Sequence, residues 1–188
     1  MSVKSLAVFC GSRDGRETLY TEEARKLGQW MASKKIRLVY GGGNVGLMGA
    51  IANAVLEGGG EVFGVIPKIL DARERSHRQL TQLLVVDTMH IRKKNMYDLC
   101  DAAVILPGGY GTLDELFEMI TWNNLSIHDK QIFILNLNGF YDHLLAHIDT
   151  MLVNGFLYEN PMNNISVVSN VEELIALPSL RNAGINIA

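Results

Sequence analysis

Cysteine is scarce in this 188-residue chain: Cys10 and Cys100 stand far apart and in no metal-ligand spacing. Two such residues exclude a disulfide framework, and both adjoin apolar runs, where a free thiol serves as a small buried hydrophobe of a reducing compartment. An excess of positive charge is also missing. Seventeen Lys and Arg face twenty Asp and Glu, the formal net charge is −3, and the longest basic tract is Arg92-Lys93-Lys94. That excludes the broad basic surface of a nucleic-acid binder. Apolar runs all fall short of the roughly 18 residues of a membrane span, so no membrane partner is expected. The run Val3 to Phe9 is too short for a signal-peptide core and no cleavage site follows, which leaves the cytoplasm as the expected compartment. His77, His90, His128, His143 and His147 form no ligand spacing, so no metal is assigned. Linkers, repeats and low-complexity stretches are lacking, and one domain over residues 1–188 is expected, with a peripheral tail after Pro178.

What is present is an alternation of short β-branched runs with helical periodicity. Strand candidates are Leu6 to Phe9, Arg37 to Tyr40, Val62 to Ile66, Leu83 to Val86, Ala102 to Leu106, Ile132 to Leu135 and Ile165 to Val168. Most are apolar at nearly every position, as strands covered on both faces require. Helical spacing marks Thr21 to Ser33, Leu47 to Leu56, a helix beginning at Asp87-Thr88, one from Thr112 carrying Leu113, Leu116, Phe117 and Ile120, then Tyr141 to Val153 and Val171 to Leu177. Such βα alternation predicts a Rossmann-like, doubly wound α/β fold with a mainly parallel sheet flanked by helices. The charged segment from Pro67 to Gln82 is long for a connection, and long loops are often functional.

In sheets of this kind ligands bind beyond the carboxyl ends of the strands. That edge carries Cys10-Gly-Ser12-Arg13, Gly41-Gly42-Gly43-Asn-Val-Gly46-Leu-Met48-Gly49, Pro67-Lys68, Asp87 to Lys93, and Pro107-Gly108-Gly109-Tyr110-Gly111-Thr112-Leu-Asp-Glu115. The first glycine loop matches the dinucleotide fingerprint, but that fingerprint wants an acid at the end of the next strand, which here reads Gly-Val-Ile-Pro67. NAD is therefore rejected. The loop serves either tight helix–sheet packing or a phosphate at a helix N-terminus. In the second loop, Thr112 with Glu115 three residues on has capping-box spacing. Glu115 is then either a cap or, with Glu118 on the face opposite Leu113, Leu116, Phe117 and Ile120, a carboxylate beside an anion site. Thr121 lies one turn beyond Glu118. Arg92-Lys93-Lys94 sits poorly at a helix start, whose partial charge is already positive, so it is either a solvated run or the holder of an anion.

Taken together, Gly41-Gly-Gly-x-x-Gly-Leu-Met-Gly49, Met89-His-x-Arg92-Lys93-x-x-Met96 and Pro107-Gly-Gly-x-Gly-Thr112-x-x-Glu115 resemble the LOG ("lonely guy") family from Leu6 to about Asp149. These are phosphoribohydrolases of cytokinin riboside 5′-monophosphates, with bacterial members that act on AMP. The resemblance implies a homodimer of Rossmann-like subunits without metal or redox cofactor. It further implies Arg92 and Glu115 as the catalytic residues, with substrate contacts at Lys93, the run from Gly109 to Glu115, Thr121 and Glu74. Gly42, Gly43, Gly46, Met48, Ser12 and Gly108 complete the candidate binding set. Family members have often carried a lysine decarboxylase label, for which the chain offers no identifiable Schiff-base lysine motif.

The expected reaction is hydrolysis of the N-glycosidic bond of a purine nucleoside 5′-monophosphate to free base and ribose 5-phosphate, through an oxocarbenium-like transition state. Glu115 would stabilise the cationic sugar, Arg92 would meet negative charge at the phosphate or the departing base, and Lys93 with the glycine-loop N–H groups would fix the phosphate. A non-catalytic nucleotide carrier and a transferase of the same fold are the competing readings.

Overall fold

The protein is described by a computed structural model over residues 3–70, 76–181 and 183. Seven strands, β1 (Ser5–Phe9), β2 (Arg37–Tyr40), β3 (Val62–Pro67), β4 (Gln82–Val86), β5 (Ala102–Ile105), β6 (Ile132–Leu135) and β7 (Ile165–Val168), form one sheet. Its order is β4-β3-β2-β1-β5-β6-β7, and every pairing is parallel. The helices are α1 (Thr18–Ser33), α2 (Gly46–Glu57), α3 (Met89–Leu99), α4 (Tyr110–Asn124), α5 (Asp142–Val153), α6 (Val171–Ala176) and α7 (Pro178–Arg181). All seven expected strands form, within one residue at either end.

Strand alternation splits the buried residues into two cores. Leu6, Val8, Leu38, Tyr40, Val104 and Leu135 face α1 and α2 on one side. Ala7, Phe9, Val39, Ile105 and Ile134 face α3 and α4 on the other, through Met96, Tyr97, Leu116 and Met119. Burial on both faces explains why the strands read as nearly continuous apolar runs. The tail expectation needs correction: Leu180 and Ala183 are about 1% exposed and belong to the first core, because α7 folds the chain back beside α6. Residues 184–188 lie outside the described residues.

From β1 the chain winds outward to β4, then returns to β5 on the opposite side of β1. That reversal leaves a crevice beyond the carboxyl ends of β1 and β5, the place where such sheets bind ligands. Among the described residues no helix is long and apolar enough to cross a membrane.

Candidate active site

A cavity of about 300 Å³ opens at this crevice. Val8 to Ser12 line it from the end of β1, Gly41 and Met48 from the β2–α2 turn, Arg92 from α3, and Gly109 to Thr112 with Glu115 from α4. Three loops and one buried cation thus converge from four separate βα units.

The basic run divides three ways. Thr88 caps α3, its hydroxyl accepting from the Ile91 N–H at 3.2 Å. With the cap there, Arg92, Met96 and Tyr97 form the buried stripe of the helix. Arg92 is only 5% exposed. Its Nε donates to the Val65 carbonyl and its Nη2 to the Gly41 carbonyl, each at 3.1 Å. A Cβ on Gly41 would overlap the guanidinium, so glycine at that position makes the arginine's berth. Lys93 turns away from the cavity to Asp114 and Glu118, at 3.0 and 3.1 Å. Burial works against its charge, yet those two acids outweigh it and raise the Lys93 pKa. Lys94 is exposed and pairs with Asp98 on its own helix. Of the three, Arg92 alone lines the cavity.

Of the two readings of Glu115, the structure does not support the capping box. Helix α4 begins at Tyr110 with Gly109 as its cap, so Thr112 lies inside the first turn and is buried. Glu115 is 8% exposed and places Oε1 4.0 Å from Arg92 Nη1. The buried stripe of α4 is Thr112, Glu115, Leu116 and Met119, whereas Leu113, Phe117 and Ile120 are half-buried. The carboxylate therefore shares the inward face with apolar residues instead of opposing them. Tyr97 braces this arrangement from α3. Its hydroxyl lies 2.8 Å from Glu118 Oε2 and 3.3 Å from the Glu115 carbonyl. Burial and the neighbouring Glu118 carboxylate push the Tyr97 pKa well up, so the phenol stays protonated.

At the N-terminus of α4, Gly109 has no side chain to cap the first N–H groups, and Gly109 to Thr112 line the cavity, where a helix N-terminus suits an anion. A Cβ on Gly109 or Gly111 would meet nothing within 4 Å. Packing within the protomer does not demand glycine there, and the space it leaves adjoins the cavity.

Other candidate residues fall elsewhere. Gly108 lies beside the cavity and packs on Thr112, where a Cβ would clash. Gly42 and Gly46 have φ of +80° and +58°, and a Cβ on Gly46 would strike the backbone of Ser12 and Arg13. These two, with Gly43, shape the turn without lining the cavity. Thr121 is exposed, its hydroxyl donating to the Phe117 carbonyl, and is not part of the lining. Glu74 lies outside the described residues. Gly41 and Cys10, which line the cavity, were not singled out as contacts. The signal for both was their position directly after a strand at the binding edge.

The family described as "Possible lysine decarboxylase" matches residues 48–177. Among the described residues lining the cavity there is no lysine. The cytokinin riboside 5′-monophosphate phosphoribohydrolase of Rhodococcoides fascians is 46% identical over 174 residues, covering 92% of this chain and 88% of the relative. Its counterpart LOG2 of Arabidopsis thaliana is 44% identical over 174 residues, covering 93% and 82%. Solved structures share the fold at lower identity. A molybdenum cofactor binding protein from Rippkaea orientalis superposes with TM-score 0.68 at 20% identity, covering 93% of this chain and 94% of that one. A molybdenum cofactor carrier protein from Chlamydomonas reinhardtii gives 0.69 at 17%, covering 92% and 93%. The carriers establish the architecture, and the sequence relatives establish the lineage: the chain belongs to the LOG family of cytokinin riboside 5′-monophosphate phosphoribohydrolases.

Proposed function

We propose that this protein hydrolyses the N-glycosidic bond of a purine nucleoside 5′-monophosphate, AMP or an N6-modified analogue, releasing the free base and ribose 5-phosphate. The observation that carries this reading is the Arg92–Glu115 pair, buried 4.0 Å apart in a cavity whose rim is the uncapped N-terminus of α4. A carboxylate and an anion-binding backbone, one helical turn apart, match the two ends of a ribose 5-phosphate.

In this reading the first N–H groups of α4 hold the 5′-phosphate, and that binding energy sets the sugar over Glu115. The C1′–N bond breaks with its electron pair leaving on the base, and positive charge spreads over C1′ and the ring oxygen. Glu115 stabilises that charge and accepts a proton from the attacking water, whose oxygen bonds to C1′. The released base takes up a proton. Arg92 aims Glu115, since its Nε and Nη2 are fixed by backbone carbonyls and its Nη1 edge faces the carboxylate. Lys93, held by Asp114 and Glu118, supports α4 instead of meeting the phosphate directly.

A homodimer is part of the proposal. The apolar side chains Val85, Met89 and Ile91 are exposed along the edge strand β4 and the start of α3. An open sheet edge beside an apolar patch suits a second copy of the chain. The buried thiols Cys10 and Cys100 suit a cytoplasmic location.

Separate incubation with AMP and with N6-isopentenyl-AMP, following base and ribose 5-phosphate by chromatography, tests the activity. Both products from either nucleotide support it, and the rate ratio gives the preference. Binding without release from either would favour a carrier.

A further inference from the structure

We infer that His77 is a positioning residue for Arg92, acting through the glycine turn between β2 and α2. The inference rests on the reading that Arg92 serves hydrolysis. His77 is 2% exposed, and its backbone N–H and both ring nitrogens have hydrogen-bond partners. Its backbone N–H donates to the Gly42 carbonyl at 2.9 Å, while Ser76 forms an antiparallel bridge to Gly43. Its Nδ1 accepts from the Gln79 N–H at 3.2 Å, which assigns the proton to Nε2, and Nε2 lies 2.9 Å from Asn53 Oδ1 on α2.

The preceding residue of the same turn, Gly41, supplies the carbonyl that receives Arg92 Nη2. Gly42, with φ of +80°, has no side chain of its own to hold the turn in place. The His77 imidazole therefore works as a strut. One end rests on α2, the main chain grips Gly42, and the orientation of the Gly41 carbonyl follows. A rotation of that carbonyl would free one edge of the guanidinium and let Glu115 drift from its register.

The strut needs the neutral ring. A proton on Nδ1 would face the Gln79 N–H, two donors with no acceptor between them. Burial already lowers the His77 pKa, so the neutral form prevails at neutral pH. Among the described residues the groups around the ring are neutral: Asn53 from α2, backbone from the glycine turn, and Gln79. The charged neighbour in sequence, Arg78, is exposed.

The test compares wild type with His77→Leu and His77→Asn, measuring kcat and KM from about pH 5 to 8, melting temperature, and hydrogen exchange of the Arg92 Nε–H by NMR. Asparagine can still accept from the N–H two residues on, as an Asx turn does, but has no ring to titrate. The expected result is a kcat loss on the order of tenfold in His77→Leu with KM changed by less than about threefold. Exchange at Arg92 Nε should quicken in that variant. His77→Asn should recover part of kcat, and its acid limb should move to lower pH. Wild-type kcat and Arg92 exchange in a folded His77→Leu would overturn the inference. So would an unmoved acid limb in His77→Asn, a variant that decides the matter if His77→Leu fails to fold. Should wild type release no ribose 5-phosphate from any nucleotide, the hydrolase reading fails on its own. Arg92 exchange in the two variants then still supports or overturns the strut.

Discussion

The exchange of one oxygen for one nitrogen at position 115 separates the two readings of that side chain. Glu115→Gln preserves volume and hydrogen-bonding reach while removing the charge that faces Arg92 at 4.0 Å. Nucleotide binding should persist, because the α4 N-terminus is untouched, while turnover falls by about 10²–10³-fold. Isothermal titration with a nucleotide beside a ribose 5-phosphate assay measures both, and near-normal turnover would return Glu115 to a packing role. Arg92 is a different case, since it is also part of the fold. Arg92→Lys keeps the charge but cannot reach Val65, Gly41 and Glu115 together, as a fork of planar N–H groups does. Arg92→Ala leaves two buried carbonyls short of a donor, at about 1–3 kcal/mol each where nothing replaces it. Both variants should lose activity, and the alanine variant should also melt several degrees earlier. From sequence alone, with Arg92 read as catalytic and not structural, a normal melting temperature is expected of Arg92→Ala. A measured melting curve decides between these.

Among the elements, the two glycine turns look alike in sequence and differ in what they demand. Gly46 has φ of +58° and sits against the backbone of the β1–α1 loop, so alanine there should lower the melting temperature or prevent folding. Gly111 is helical and open, so alanine should leave stability equal or raise it by up to about 1 kcal/mol. Its methyl group would nevertheless stand at the cavity rim. Gly111→Ala should therefore raise KM without a stability loss, and unchanged KM would move the phosphate away from α4.

The strands were legible for a simple reason. A strand buried on both faces has no polar position to interrupt it, and its neighbours are turn residues. Helix starts were less legible where the cap is glycine. At Gly109 no side chain announces the boundary, and Thr112, the first residue with a capping hydroxyl, draws the expected cap three residues inward. The apolar spacing of Leu113, Leu116, Phe117 and Ile120 places Glu115 on the opposite face, whereas the side chain lies on the buried stripe. Likewise the basic run reads as one feature in sequence, yet a helix turns each successive residue by about 100°, so Arg92, Lys93 and Lys94 meet three environments. The fate of Leu180 depended on where α7 lands, a long-range matter that local pattern does not carry.

For the whole molecule, the histidines set a pH window distinct from that of the carboxylates. His128 donates from Nδ1 to Asn123 Oδ1 at 2.6 Å, an assignment fixed by the Asn123 amide nitrogen, which donates to the Lys130 carbonyl. Its Nε2 is buried without a hydrogen-bond partner among the described residues. Protonation would put an unsatisfied N–H there, and burial, then the nearby Lys130 charge, lowers the His128 pKa. His77 is likewise lowered by burial. Both native rings thus bind protons less readily than the unfolded chain does. Stability from this source is complete above the ordinary histidine value, near pH 6.5, and is lost as pH falls through that value toward the depressed native ones. Asp87 and Glu172, whose pKa values are lowered by Lys68 and, for Glu172, chiefly by a backbone hydrogen bond with Lys26 adding to it, act only below the usual carboxylate range. The interval from about pH 6.5 to 5 therefore isolates the histidines. The melting temperature should be level from about pH 8 to 7 and should decline across that interval. Replacing His128 with Asn should flatten part of the decline. Because the two rings sit in separate surroundings, one beside α2 and one beside Tyr97 and Trp122, their contributions should add. A flat profile from pH 7 to about 5 would mean that neither native ring binds protons less readily than the unfolded chain does.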